Sequence, residues 1–123
     1  MCARVGLRWM SRIPTLIDVG PYTYRVVSDE LCMLRKEKEL ETGLYGYTDH
    51  LGLEIGIAQT VAVDNQTETL LHEVLHCITR MMGLDWTTED EEKVIKHLSP
   101  LLLDTLRRNP GLVAYLLNQE ENK

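Results

Sequence analysis

The chain has 123 residues, 44% of them apolar and none of them phenylalanine, which suits a single domain spanning 1–123 with a real core. Thirteen Lys/Arg against nineteen Asp/Glu leave a formal charge of −6, the wrong balance for a nucleic-acid surface, which needs clustered positive charge. No run approaches the roughly 18 apolar residues of a membrane span. Three cysteines, Cys2, Cys32 and Cys77, are an odd count without metal-type pairing, so reduced thiols in a soluble cytoplasmic protein are expected.

Arg8, Arg12 and Pro14 interrupt the N-terminal stretch, which is not expected to act as an export signal. Arg4, Arg8 and Arg12, four apart, read as a solvated face. Pro14 and Gly20-Pro21 break any regular pattern over residues 1–20. Tyr22 to Ser28 is aromatic and β-branched and predicts a strand. Residues 29–40 fit a short helix or a loop. Leu44–Ala58 predicts a hairpin that turns at Asp49-His50; in its second arm Leu53, Ile55 and Ile57 point one way and Glu54, Gly56 and Ala58 the other.

From residue 65 the period becomes helical. Asp64 or Asn65 can cap a helix carrying Leu70, Leu71, Val74, Leu75, Ile78 and Met82, stopped by Gly83. Thr87-Thr88 ahead of Glu89-Asp90-Glu91-Glu92 announces a second helix, since hydroxyl caps and first-turn carboxylates suit the positive end of the helix dipole. It carries Val94, Ile95, Leu98, Leu101, Leu102 and Leu106, with a kink or break expected near 96–99 because Pro100 removes a backbone donor. Asn109-Pro110 starts a last short helix, and residues 118–123 are a polar tail.

The chemistry lies in Thr69-Leu70-Leu71-His72-Glu73-Val74-Leu75-His76, an H-E-x-x-H pattern. On a helix, positions i and i+4 share a face, so both imidazoles can reach one tetrahedral zinc ion. With His72 at zero and about 100° per residue, His76 falls near 40° and Glu73 near 100°, outside the apolar stripe at about 160–300°. Thr69 and Thr79 flank that sector. A catalytic zinc usually takes three protein ligands. Glu89, Asp90, Glu91, Glu92 and His97 are the downstream candidates. Glu91 precedes Val94, Ile95 and Leu98 by three, four and seven residues, and so shares their face. A carboxylate there needs a partner such as a metal. Glu91 is the expected third ligand, followed by Glu92 and then His97. His50 and His97 otherwise read as structural.

Such a site implies a zinc-dependent hydrolase, expected to be a peptidase acting on a peptide or protein. Glu73 would be the general base toward a zinc-activated water. A second oxyanion donor could come from Tyr45, Tyr47, His50 or Tyr115, and the Leu53–Ala58 strand could hold a substrate backbone by strand addition. A non-catalytic protein-binding module with structural zinc is the alternative, and a hydrolase of non-peptide amides is a third reading. The intact Glu73 favours catalysis.

Over roughly residues 44–106 the alternating strand, the Thr69–His76 helix and the following Glu91-x-x-Val94-Ile95 helix resemble the zincin-like metallopeptidases. They are most similar to the compact ImmA/IrrE-type peptidases and related phage-encoded zincins. The resemblance implies an α+β fold, with a small antiparallel or mixed sheet of about three strands packed on the H-E-x-x-H helix and C-terminal helices. It also implies zinc on His72, His76 and Glu91, with Glu73 as base. The His76-to-Glu91 gap is short for that type, and Val94-Ile95-Lys96-His97-Leu98 stands where A-N-x-F-A is usual. The repressor substrates of that family are therefore not carried over.

Overall fold

Gly20 and Pro21 close a β-hairpin. Strands β1 (Leu16–Val19) and β2 (Tyr22–Val27) pair antiparallel, with Val19 opposite Tyr22, so the loop has two residues. Gly20 sits at φ +59, the positive φ that two-residue hairpin turns require. The computed structural model describes residues 13–28, 45–58 and 63–118. The arginines near the N-terminus, the segment 29–40 and two of the three cysteines lie outside them.

Strands β3 (Gly46–Asp49) and β4 (Glu54–Ile57) form the anticipated hairpin, turning at Asp49, whose Oδ1 accepts the Gly52 N–H at 3.0 Å. β4 also pairs parallel with β2, giving a four-stranded mixed sheet in the order β1-β2-β4-β3. The sheet thus has one strand more than expected. Gly-Pro, a breaker when read in isolation, is here the turn that lets Leu16–Val19 return along β2.

Alternation along β4 sorts its side chains as predicted. Ile55 and Ile57 join Val19, Tyr24 and Cys77 in the main core, with Leu53 packed against it. Gly56 faces the other way beneath the ring of Tyr47, where an added Cβ would come 2.0 Å from Cε2 of that ring, so only glycine fits. Tyr47 hydrogen-bonds Glu54 through its hydroxyl, and Glu54 pairs with Arg25 at 2.7 Å. Tyr47 and Ala58 form a second small cluster with Val27.

Helix α1 (Val63–Met82) lies against β1, β3 and β4. It starts just ahead of Asp64 and Asn65, which therefore lie inside it, and ends at Gly83, whose φ of +65 is the left-handed conformation that stops a helix. The chain divides into two compact units, Met1–Asp85 and Trp86–Lys123. The second holds α2 (Thr88–Arg108) and α3 (Pro110–Leu117), with Pro110 at the first turn of α3. Thr87 caps α2 as expected: its hydroxyl accepts the Asp90 N–H at 3.0 Å and its carbonyl the Glu91 N–H at 2.9 Å. α2 runs unbroken through Pro100. Proline at one site removes a single donor, and the rest of a 21-residue helix holds the geometry. The buried line of α2 passes through Ile95 and Ser99, while Val94 and Leu98 remain 43% and 41% exposed. No helix among the described residues is long and apolar enough to cross a membrane.

Candidate metal centre

His72 and His76 lie side by side on α1, one turn apart. Their ring centroids are 5.0 Å apart, the rings meet edge to face at 64°, and a nitrogen of each lies within 4.8 Å of the other. Both rings are half-buried. Two imidazoles that close are suitable donors for a borderline metal such as zinc and supply two of the three protein ligands of a catalytic site.

The position of α1 on the sheet departs from the sequence reading. Leu70, Val74, Cys77 and Met81 pack on the core, and with His72 at zero they fall between about 140° and 200°. Ile78 and Met82, assigned to the apolar stripe, are 40% and 54% exposed. The sheet-facing sector is narrower than the apolar stripe, so the stripe alone does not tell which part of it meets the sheet. Glu73 consequently stands at the border between the sheet face and the histidines. It is 7% exposed, a buried carboxylate one residue from His72.

The sheet supplies a partner for that carboxylate. Thr48 on β3 donates its hydroxyl proton to Oε1 of Glu73 at 2.6 Å, and the same hydroxyl lies 3.3 Å from the Glu73 carbonyl oxygen. Gly46, two residues earlier on the same face, brings β3 against the helix: a Cβ there would meet Cγ2 of Thr69 at 2.5 Å and Oε2 of Glu73 at 3.4 Å. Thr48 escaped the sequence reading. Its only signal was the alternation Tyr45-Gly46-Tyr47-Thr48, in which the small members turn toward the helix. Thr79, one turn below the histidines, donates to the carbonyl of His76 at 3.0 Å.

Beside this site, Cys77 is fully buried, and burial pushes its thiol up to about 11, against the lowering effect of its hydrogen bond with Tyr24. Burial also raises Tyr24, whose hydroxyl lies 3.1 Å from Nδ1 of His50. His50 thus has a structural partner, as expected for a lone histidine.

The structure brings together His72, Glu73 and His76, all on one helix of the first unit. Glu91, Glu92 and His97 belong to the second unit. Glu91 is half-buried in the first turn of α2, Glu92 is exposed, and the exposed His97 donates from Nδ1 to the Lys93 carbonyl at 2.8 Å. Glu89 and Asp90 are exposed cap residues. Among the oxyanion candidates, Tyr47 is removed, because strand alternation sends it to the sheet face opposite α1, over Gly56. The strand-addition role proposed for Leu53–Ala58 also fails: β4 is flanked by β2 and β3 and has no open edge. No protein-family profile, curated protein or solved structure matches the chain.

Proposed function

We propose that the chain is a zinc-dependent hydrolase of zincin-like architecture, acting on peptide bonds, with His72 and His76 as zinc ligands and Glu73 as general base. The observation that supports it most is the buried Glu73 carboxylate beside the paired imidazoles. A carboxylate withdrawn from water is costly, and proton transfer beside a bound zinc would give it a function that a staple-like site in a non-catalytic binding module does not need. The third ligand in this reading is Glu91, with Glu92 and then His97 as the alternatives. Zinc held there supplies a Lewis acid and lowers the pKa of water toward neutrality. Glu73 takes the proton of the attacking water and returns it to the leaving amine. Thr48 and the sheet close one side of Glu73.

The test compares wild type and Glu73→Gln, both loaded with zinc, on a pool of internally quenched peptides. Gln has nearly the same shape but cannot accept the proton, so the rate should fall by about 10²–10⁴, the usual worth of a general base, with zinc content unchanged. No hydrolysis by wild type across the pool, or equal rates for both proteins, contradicts the assignment.

A further inference from the structure

Three features of β3 converge on Glu73. The strand is held in register by β4, with Thr48 opposite Ile55, a side chain fully buried in the core. Its face toward α1 carries Gly46, which has no side chain to hold the helix away. On that same face, the Thr48 hydroxyl donates to Oε1 of Glu73 at 2.6 Å, within the short range of a charge-assisted hydrogen bond. We propose that Thr48 is a positioning residue for Glu73, holding its carboxylate in the one orientation that serves proton transfer beside His72 and His76. The proposal rests on the reading of Glu73 as the base.

A glutamate has three rotatable side-chain bonds, and holding it in one rotamer costs entropy that something must offset. A general base must come within roughly 2.6–3.2 Å of the proton it takes, so a carboxylate spread over several rotamers is a poor one. Thr48 is suited to the anchoring role because its own χ1 is restricted by β-branching and its backbone belongs to a strand anchored in the core. The Glu73 carbonyl oxygen lies 3.3 Å from the Thr48 hydroxyl, whose single proton goes to the nearer Oε1.

The variant Thr48→Val removes the hydroxyl with little change of shape, and Thr48→Ser keeps the hydroxyl and drops the methyl. The probe is acetohydroxamic acid, a small metal-binding acid whose proton needs an acceptor beside the ion. Its affinity for zinc-loaded protein is measured by calorimetry for wild type, Thr48→Val, Thr48→Ser and Glu73→Gln, together with zinc content and melting temperature. A bond that only satisfied a buried acceptor would lower the melting temperature of Thr48→Val and leave the probe's affinity alone. The positioning role predicts full zinc content in all four proteins and affinity lost roughly tenfold or more in both Thr48→Val and Glu73→Gln, the worth of a hydrogen bond to a charged group. Thr48→Ser should recover most of the wild-type affinity. Thr48→Ala takes the place of Thr48→Val should the latter not fold. Wild-type affinity in the hydroxyl-less variant, with Glu73→Gln impaired, overturns the role of Thr48 and leaves Glu73 as base. If Glu73→Gln also binds like wild type, or if wild type takes up no zinc, the reading of the site fails and the proposal fails with it.

Discussion

Gly46 on β3 and Thr69 on α1 meet so closely that a single added carbon on Gly46 would lie 2.5 Å from Cγ2 of Thr69 and 2.9 Å from the Gly56 carbonyl oxygen. The seam between the sheet and the H-E-x-x-H helix is therefore set by a missing side chain. Everything that the sheet does for Glu73 depends on that closeness.

Substituting Gly46→Ala should push β3 and α1 apart. One of the two clashes is with backbone, which cannot rotate away, so overpacking should cost about 1–3 kcal/mol. Thermal unfolding checks the loss of stability. A wild-type melting temperature would mean that the seam is looser than the structure shows.

The thiol of Cys77 gives a pH dependence with a definite sign. Its value rises from 9.0 to about 11 on folding because burial disfavours the thiolate. The folded state therefore gains stability that is complete below pH 9 and is lost as the pH climbs through about 11. Tyr24, also raised by burial, acts in the same direction. At about 1.4 kcal/mol per pH unit the thiol contributes at most roughly 2–3 kcal/mol. Denaturant titrations of the metal-free protein at pH 8 and pH 11 should show this loss, and Cys77→Ala should reduce its dependence on pH. An unchanged slope in that variant would assign the alkaline loss to other groups.

Several parts of this fold were legible in the sequence because their signals are local. The β3–β4 hairpin follows from alternation around Asp49-His50, the cap of α2 from Thr87 ahead of acidic residues, and the end of α1 from Gly83. The pair His72 and His76 follows from helical spacing alone. What escaped depends on distant partners. Gly20-Pro21 became a turn only because β2 was there to pair with Leu16–Val19, and the parallel joining of β2 to β4 links strands far apart in sequence. The rotation of α1 could not be fixed from an apolar stripe wider than the sector that meets the sheet, so the burial of Glu73 and its bond to Thr48 were hidden. Pro100 did not break α2, because the hydrogen bonds of the turns on either side hold a long helix together across the missing donor.

The choice between Glu91 and Glu92 can be made by zinc affinity. Ile95 and Ser99 mark the buried line of α2; Glu91 lies four residues before Ile95, and Glu92 three before it and seven before Ser99, so both flank that line. Glu91→Gln should weaken zinc binding by at least the ~10–100-fold that even an outer partner of a ligand is worth, and Glu92→Gln should change it little. The reverse pattern would make Glu92 the ligand and leave the rest of the site intact.

Whether His72 and His76 hold a zinc ion is decided by metal content. Protein purified without chelator is analysed for zinc per chain, wild type beside the His72→Ala/His76→Ala double variant, with folding of both checked by circular dichroism. The wild-type chain should carry about one zinc and the double variant almost none, since removing both imidazoles leaves too few donors for a tetrahedral site. A folded double variant that retains one zinc per chain would contradict this assignment.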